Sequence, residues 1–194
     1  ARRVFFIGLG SGITAATALE HPVDSVTATE LLPEVVAASR EYFADETGAL
    51  FTDDRAQVIA ADGRMVLATS DDRWDVIVSD LFVPWHEGTG SLYTRENFEI
   101  IRRHLADGGV FVQWLPLFQL TRSDFDTITG TMLDVFDDVS LWHADFRDGT
   151  PIAALVAGTP LDRLPPSAAT ERAEFFADIS AHRALFADAP RNTD

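Results

Sequence analysis

The chain contains no cysteine and no lysine. Without cysteine there is no disulfide framework and no cysteine-based zinc site. The five histidines, His21, His86, His104, His143 and His182, are scattered at spacings that suggest no metal site. Without lysine all 15 positive charges are arginine, set against 31 acidic residues for a formal charge of −16. A protein that grips duplex DNA or RNA needs a basic stripe to neutralise phosphates, so nucleic acid is not an expected partner. An acidic surface instead tolerates a cationic one. Long apolar runs are also missing. The longest weakly charged stretch, residues 4–19, is too short for a membrane span and is broken by Gly8, Gly10 and Gly12. Nothing at the start resembles a signal peptide. Because the sequence opens on Ala1 almost directly into a strand-like run, we expect it to be a segment of something longer.

What is present suits a globular α/β protein. Of 194 residues, 46% are hydrophobic and 24% charged, enough to bury a core. Residues 4–7 (Val-Phe-Phe-Ile) form a short, continuously apolar run, as expected for a central parallel strand buried on both faces. Further strands are predicted over 25–29, 57–60, 74–79 and 110–114, and helices over 13–19, 34–43 (opened by Pro33), 63–68, 95–105 and 121–136. Thr94 is the expected N-cap of the helix over 95–105, and Gly108-Gly109 its end. Residues 81–92 read as a long loop, with glycines that would let it gate a pocket. Strands over 139–143 and 152–156 flank a turn-like stretch and read as an antiparallel hairpin. The pattern predicts a Rossmann-like, doubly wound, mostly parallel seven-stranded sheet of the S-adenosylmethionine-dependent methyltransferase type, closed by that hairpin. We expect a nucleoside-binding catalytic domain over 1–158. Residues 159–194 would then form a proline-rich linker, an amphipathic helix over 168–186, and a tail over 188–194 that frays.

Four places carry chemistry. Gly8-Leu9-Gly10-Ser11-Gly12 lies between a strand and a helix start, where glycines admit a ligand close to the backbone and free N–H groups face it. Ile13 stands where a dinucleotide fingerprint wants its third glycine, which favours an adenosyl sulfonium over NAD. Glu30, followed by Leu31, ends the second strand, where a carboxylate can accept ribose hydroxyls in bonds worth about 1.5–3 kcal/mol each. Asp62-Gly63 follows the third strand, where an acid can take the exocyclic amine of adenine. Asp80 closes the fourth strand and faces the crevice in which open α/β sheets bind ligands, so it is the expected catalytic acid. Asp54, Asp71, Asp72 and Asp75 read as turn and surface acids.

Across about residues 4–157 these motifs resemble the spermidine synthase (polyamine aminopropyltransferase) family. The matching pieces are Gly8 to Gly12, Glu30 with Pro33-Glu34-Val35-Val36, Asp62-Gly63, Asp75-Val76-Ile77-Val78-Ser79-Asp80, and residues 105–109. The most specific piece is Ser91-Leu92-Tyr93-Thr94 with Phe98-Glu99. The resemblance implies transfer of an aminopropyl group from decarboxylated S-adenosylmethionine to an amine. Gly8, Gly10, Ser11, Gly12, Glu30, Leu31, Asp62, Gly63 and Asp80 would contact the donor, and Asp80 would serve the amine. It implies no metal, a homodimer, and a cytoplasmic location. The wording of residues 80–98 and 112–120 is similar to bacterial members in which this domain follows a membrane region. Two acids of the family pattern are replaced, one by Ser11 and one by Val83, and the family's small N-terminal β-domain has no counterpart in this sequence. The alternatives are a methyltransferase using intact S-adenosylmethionine and a non-catalytic nucleoside-binding domain of a membrane protein.

Overall fold

A computed structural model describes residues 1–80, 88–144, 150–163 and 173–194. The chain divides into two compact units, Ala1–Asp80 with His104–Gly109, and Leu81–Arg103 with Val110–Asp194.

The first unit alternates strand and helix: β1 (Arg3–Ile7), α1 (Ile13–Ala18), β2 (Ser25–Glu30), α2 (Pro33–Tyr42), α3 (Ala44–Thr47), a 3-10 turn (Gly48–Phe51), β3 (Ala56–Ala60), α4 (Gly63–Ala68) and β4 (Trp74–Ser79). The strands are parallel in the order β3-β2-β1-β4, with Phe5 level with Thr27 on one side and Ile77 on the other. The continuous apolar run of β1 has its cause in this position: a strand paired on both edges and covered on both faces has no polar side. Phe5, Val26, Ala28 and Ile77 are fully buried, and burying each large side chain stabilises the unit by about 1.5–3 kcal/mol. The Phe5 ring meets Trp74 edge-on, with centroids 4.9 Å apart.

Helix α5 (Arg95–His104) and strand β5 (Leu105–Leu115) carry the chain between the units. The second unit further contains α6 (Arg122–Leu133), β6 (Val139–Ala144), β7 (Ile152–Ala157), β8 (Ala173–Asp178) and a 3-10 segment (Ser180–Phe186). Its strands are antiparallel in the order β5-β7-β6-β8. Phe111 is tilted against Phe98 and stacks on Phe136, which ties β5 to α5 and to the end of α6. Helix α6 begins with a reciprocal capping box: Thr121 Oγ1 accepts the Asp124 N–H, and the Asp124 carboxylate accepts the Thr121 N–H. Thr94 caps α5, its hydroxyl accepting the Asn97 N–H at 3.4 Å. No helix among the described residues is long and apolar enough to cross a membrane.

The expected α/β architecture and closing hairpin are present, but four expectations are corrected. Among the described residues the sheet strands number eight rather than seven. The eighth, β8, replaces part of the helix expected over 168–186. It pairs antiparallel with β6 across a bulge at Leu141/Trp142, and the segment after it is 3-10 rather than α-helical. Phe175, inside the span expected as a helix, instead meets Trp142 edge-on at 5.7 Å. An unpaired β6 edge offers a ladder of hydrogen bonds that local helix preference cannot match. Strand β5 starts at Leu105 rather than Val110 and runs through the glycine pair, with Gly108 at φ +73. The tail over 188–194 does not fray: Arg191 pairs with Asp134 at 2.9 Å, and Asn192 bonds to Gly90, Arg95 and Thr131.

Candidate functional site

The carboxyl ends of the parallel strands lie level in the first unit. Ile7 is in register with Thr29 and with Ser79, and Glu30 with Ala60. The chain leaving each strand therefore emerges on one edge of the sheet, the edge where this architecture binds ligands.

The glycine turn leaves β1 at Gly8. It is closed by the Gly12 N–H donating to the Leu9 carbonyl at 2.9 Å. Gly12 sits at φ +87, and a Cβ there would stand 2.7 Å from Ser39 Oγ, so both its conformation and its surroundings exclude a side chain. Gly10 differs. At φ +55 it faces open space, with nothing among the described residues within 4 Å of where a Cβ would lie. That is the surface a ligand can approach at backbone distance.

Glu30 reaches this turn. Its Oε2 accepts the N–H groups of Leu9 at 3.3 Å and Gly10 at 3.4 Å, while Oε1 accepts the Leu32 N–H at 3.1 Å. The carboxylate is thus clamped between the glycine turn and its own chain. The two turn bonds are long, which leaves acceptor capacity on the oxygen that faces them. Leu31 follows it and is 66% exposed.

Asp62 is exposed and caps α4. Its Oδ1 accepts the N–H groups of Arg64 at 2.9 Å and Met65 at 3.4 Å. Beyond the ligand role expected of it, Asp62 therefore has a structural one, for which an aspartate one residue before a helix is the ordinary sequence signal. Met65, in the first turn of α4, is 58% exposed, so an uncovered apolar side chain accompanies each of the two acids. Gly63 lets α4 press on the strands: a Cβ there would lie 2.4 Å from Thr29 Oγ1 and 3.2 Å from Ile7 Cγ2. Asp80 continues β4, half-buried, and its N–H donates to the Ile7 carbonyl at 3.2 Å, directly beside Gly8.

The structure therefore brings Gly8 to Gly12, Glu30, Asp62-Gly63 and Asp80 to one edge. It also adds a residue not anticipated from sequence, Ser39, whose hydroxyl donates to the Ser11 carbonyl at 2.7 Å. A serine inside a helix is the signal that was available, since such a hydroxyl must find a partner when buried. Trp85, His86 and Val83, in the loop expected to gate the pocket, lie outside the described residues. Asp75, read as a surface acid, is half-buried and accepts the N–H groups of both Arg2 and Arg3 at 2.7 Å.

Several known proteins resemble this chain. A polyamine aminopropyltransferase of Pseudomonas syringae pv. tomato is 33% identical over 147 residues, 74% of this chain and 49% of that protein. A crystal structure of spermidine synthase in complex with the transition state analogue AdoDATO superposes with a TM-score of 0.72 at 22% identity, covering 96% of this chain and 64% of that one. Human methyltransferase-like protein 13 in complex with SAH superposes with a TM-score of 0.68 at 18% identity, covering 95% of this chain and 79% of that one. These likenesses support the Rossmann-like fold of the methyltransferase type. The chain spans about half the length of the curated relatives it matches. The family model described as the spermine/spermidine synthase domain matches residues 1–145, three-quarters of the sequence, and the chain belongs to that family.

Proposed function

We propose that this chain is the donor-binding, catalytic domain of an aminopropyltransferase that moves an aminopropyl group from decarboxylated S-adenosylmethionine to a polyamine amine. Glu30 holds the ribose hydroxyls, Asp62 the adenine amine with the oxygen its helix cap does not use, and the glycine turn passes beneath the sulfonium. The clamping of Glu30 onto the backbone of Leu9 and Gly10 carries this reading, because it presents an acceptor already fixed beside an open backbone surface. Family membership and the named relatives support it.

In the reaction, the nitrogen lone pair of a neutral amine attacks the propyl carbon next to sulfur, in line with the breaking bond. The C–N bond forms, the C–S pair returns to sulfur, and a neutral thioether nucleoside leaves. The new ammonium loses its proton to water or to Asp80, which also orients the amine. Purified chain incubated with decarboxylated donor and putrescine should yield spermidine by mass spectrometry, and Asp80→Asn should lower that rate about 100-fold. Turnover indifferent to that substitution would remove Asp80 from the mechanism. Nucleoside binding without product from any amine would leave a non-catalytic domain.

A second reading, a methyltransferase using intact S-adenosylmethionine, draws on one observation: Ser11 stands where the family pattern has an acid. The intact molecule carries a carboxylate that an acid at this place would repel, and methyl transfer needs alignment more than a base. Calorimetry with both donors separates the readings, since tighter binding of the intact one favours methyl transfer. The expected homodimer, membrane-attached context and cytoplasmic location belong to the same proposal. Light scattering tests the first, and fractionation of the native protein tests the others.

A further inference from the structure

The glycine turn is held from two sides. From the end of β2, Glu30 takes the N–H groups of Leu9 and Gly10. From α2, the Ser39 hydroxyl donates to the Ser11 carbonyl at 2.7 Å. The N–H of Gly12, the other end of the same peptide group, donates to the Leu9 carbonyl at 2.9 Å. The planar Ser11–Gly12 peptide is pinned at both polar ends and cannot rotate without breaking one of these bonds.

Ser39 is only 1% exposed. Around the place where a Cβ on Gly12 would lie stand Ser39 Oγ at 2.7 Å, Thr47 Cγ2 at 3.0 Å and Leu50 Cδ2 at 3.2 Å. These three side chains form a floor against Gly12. A serine in mid-helix ordinarily bonds to its own preceding turn or faces solvent. This one instead spends its proton on a loop 28 residues away in sequence.

We propose that Ser39 is a positioning residue for donor binding. Its hydroxyl fixes the Ser11–Gly12 peptide, and with it the orientation in which Leu9 and Gly10 meet Glu30, so it sets donor affinity without touching the donor. The inference rests on reading Gly8 to Gly12 and Glu30 as the donor's site. Thr47 supplies a built-in comparison: it belongs to the same floor and is equally buried, but its Oγ1 has no hydrogen-bond partner among the described residues.

The test compares the unaltered chain with Ser39→Ala and Thr47→Val, each confirmed folded by circular dichroism. Calorimetric titration uses 5′-methylthioadenosine as the nucleoside probe, and steady-state kinetics use decarboxylated S-adenosylmethionine and putrescine. Losing one such bond should raise the dissociation constant and the donor KM about five- to tenfold in Ser39→Ala. Acceptor KM and kcat at saturating donor should stay within about twofold, since the lost interaction orders only the donor's seat. Thr47→Val should bind the probe as the unaltered chain does. Unchanged probe binding in Ser39→Ala overturns the proposal. So does a loss in Thr47→Val as large as in Ser39→Ala, because floor packing rather than the hydrogen bond would then be responsible. If the unaltered chain binds no nucleoside, the donor-site reading fails first and takes this inference with it.

Discussion

Gly63 rests directly against Thr29: a Cβ on Gly63 would stand 2.4 Å from the threonine's hydroxyl oxygen, which itself donates to the Phe6 carbonyl at 3.0 Å. Helix α4 can start beside the ends of β1 and β2 only because position 63 has no side chain. Gly63→Ala should therefore cost about 1–3 kcal/mol through overpacking, read as a lower denaturation midpoint. In a Thr29→Ala background the same change should cost less. Equal costs in both backgrounds would show that the two residues do not press on each other.

Asp62 caps α4 and is proposed to hold the adenine amine, two roles that substitution can separate. Asparagine keeps an oxygen for the Arg64 and Met65 N–H groups, whereas alanine does not. Asp62→Ala should destabilise the protein by about 1 kcal/mol and Asp62→Asn by little. Both should weaken nucleoside binding, because the amide also loses the charge that strengthens an adenine contact. Undiminished binding by Asp62→Asn in calorimetry would take the adenine away from this residue.

Glu30→Gln retains the shape of the side chain but loses its charge. Its bonds to Leu9 and Gly10, and the proposed one to the ribose, become neutral ones, about half as strong, and donor affinity should fall about 10- to 100-fold. Rate at saturating donor should fall less than affinity does. Titration of the variant with S-adenosyl ligands checks the first point and saturation kinetics the second.

Asp75 makes stability depend on pH. Burial pushes its carboxyl up, but the backbone N–H groups of Arg3 and Arg2, together with the positive charges of the amino terminus and Arg2, outweigh burial and hold it below the ordinary 3.8. Its folded-state value is thus depressed, so the ionised group stabilises the fold above the unfolded value. That contribution is lost as pH falls through the folded value. Asp75→Asn should lower the denaturant midpoint at neutral pH, and its difference from the unaltered chain should shrink as pH drops below about 4. A difference that stays constant with pH would assign the effect to packing.

Asn192 ties three elements of the second unit. Its carbonyl accepts the Arg95 N–H at 2.9 Å, its N–H reaches Thr131 Oγ1 at 3.0 Å, and its side-chain amide donates to the Gly90 carbonyl at 2.9 Å. Asn192→Ala removes only the last of these and should cost about 1 kcal/mol. Hydrogen exchange should quicken over residues 88–95 and remain unchanged in the first unit.

The legible parts of this fold share a property. Strands β1, β3 and β4 are short, largely apolar runs, each followed within three residues by a glycine or an aspartate, and β2 ends on Glu30 just before Pro33. Those residues act where they stand, as turn formers and caps. The Pro33 start of α2 was readable for the same reason. Strand β8 was not. Ala173-Glu174-Phe175-Phe176-Ala177-Asp178 has two adjacent phenylalanines and no clean period, and its two rings remain 43% and 71% exposed. Its conformation comes from pairing with β6, which no local window contains. At the site, the acids were found because each ends a strand. The partners of their neighbourhood were not, because a serine inside a helix signals that its hydroxyl needs a partner but not which group supplies it.

By itself the amino-acid sequence determined the order of strands β1 to β7 and the main helices between them, the glycine turn, and the acids at the strand ends, since burial pattern, φ preference and capping are properties of a residue and its immediate neighbours. Only the tertiary structure decided that Ser39 secures a turn 28 positions away, that Asn192 reaches Thr131 across 61, and that β8 joins the sheet. Such bonds form between groups that the folded backbone brings within 3 Å, and no periodicity along the chain encodes which pair will meet.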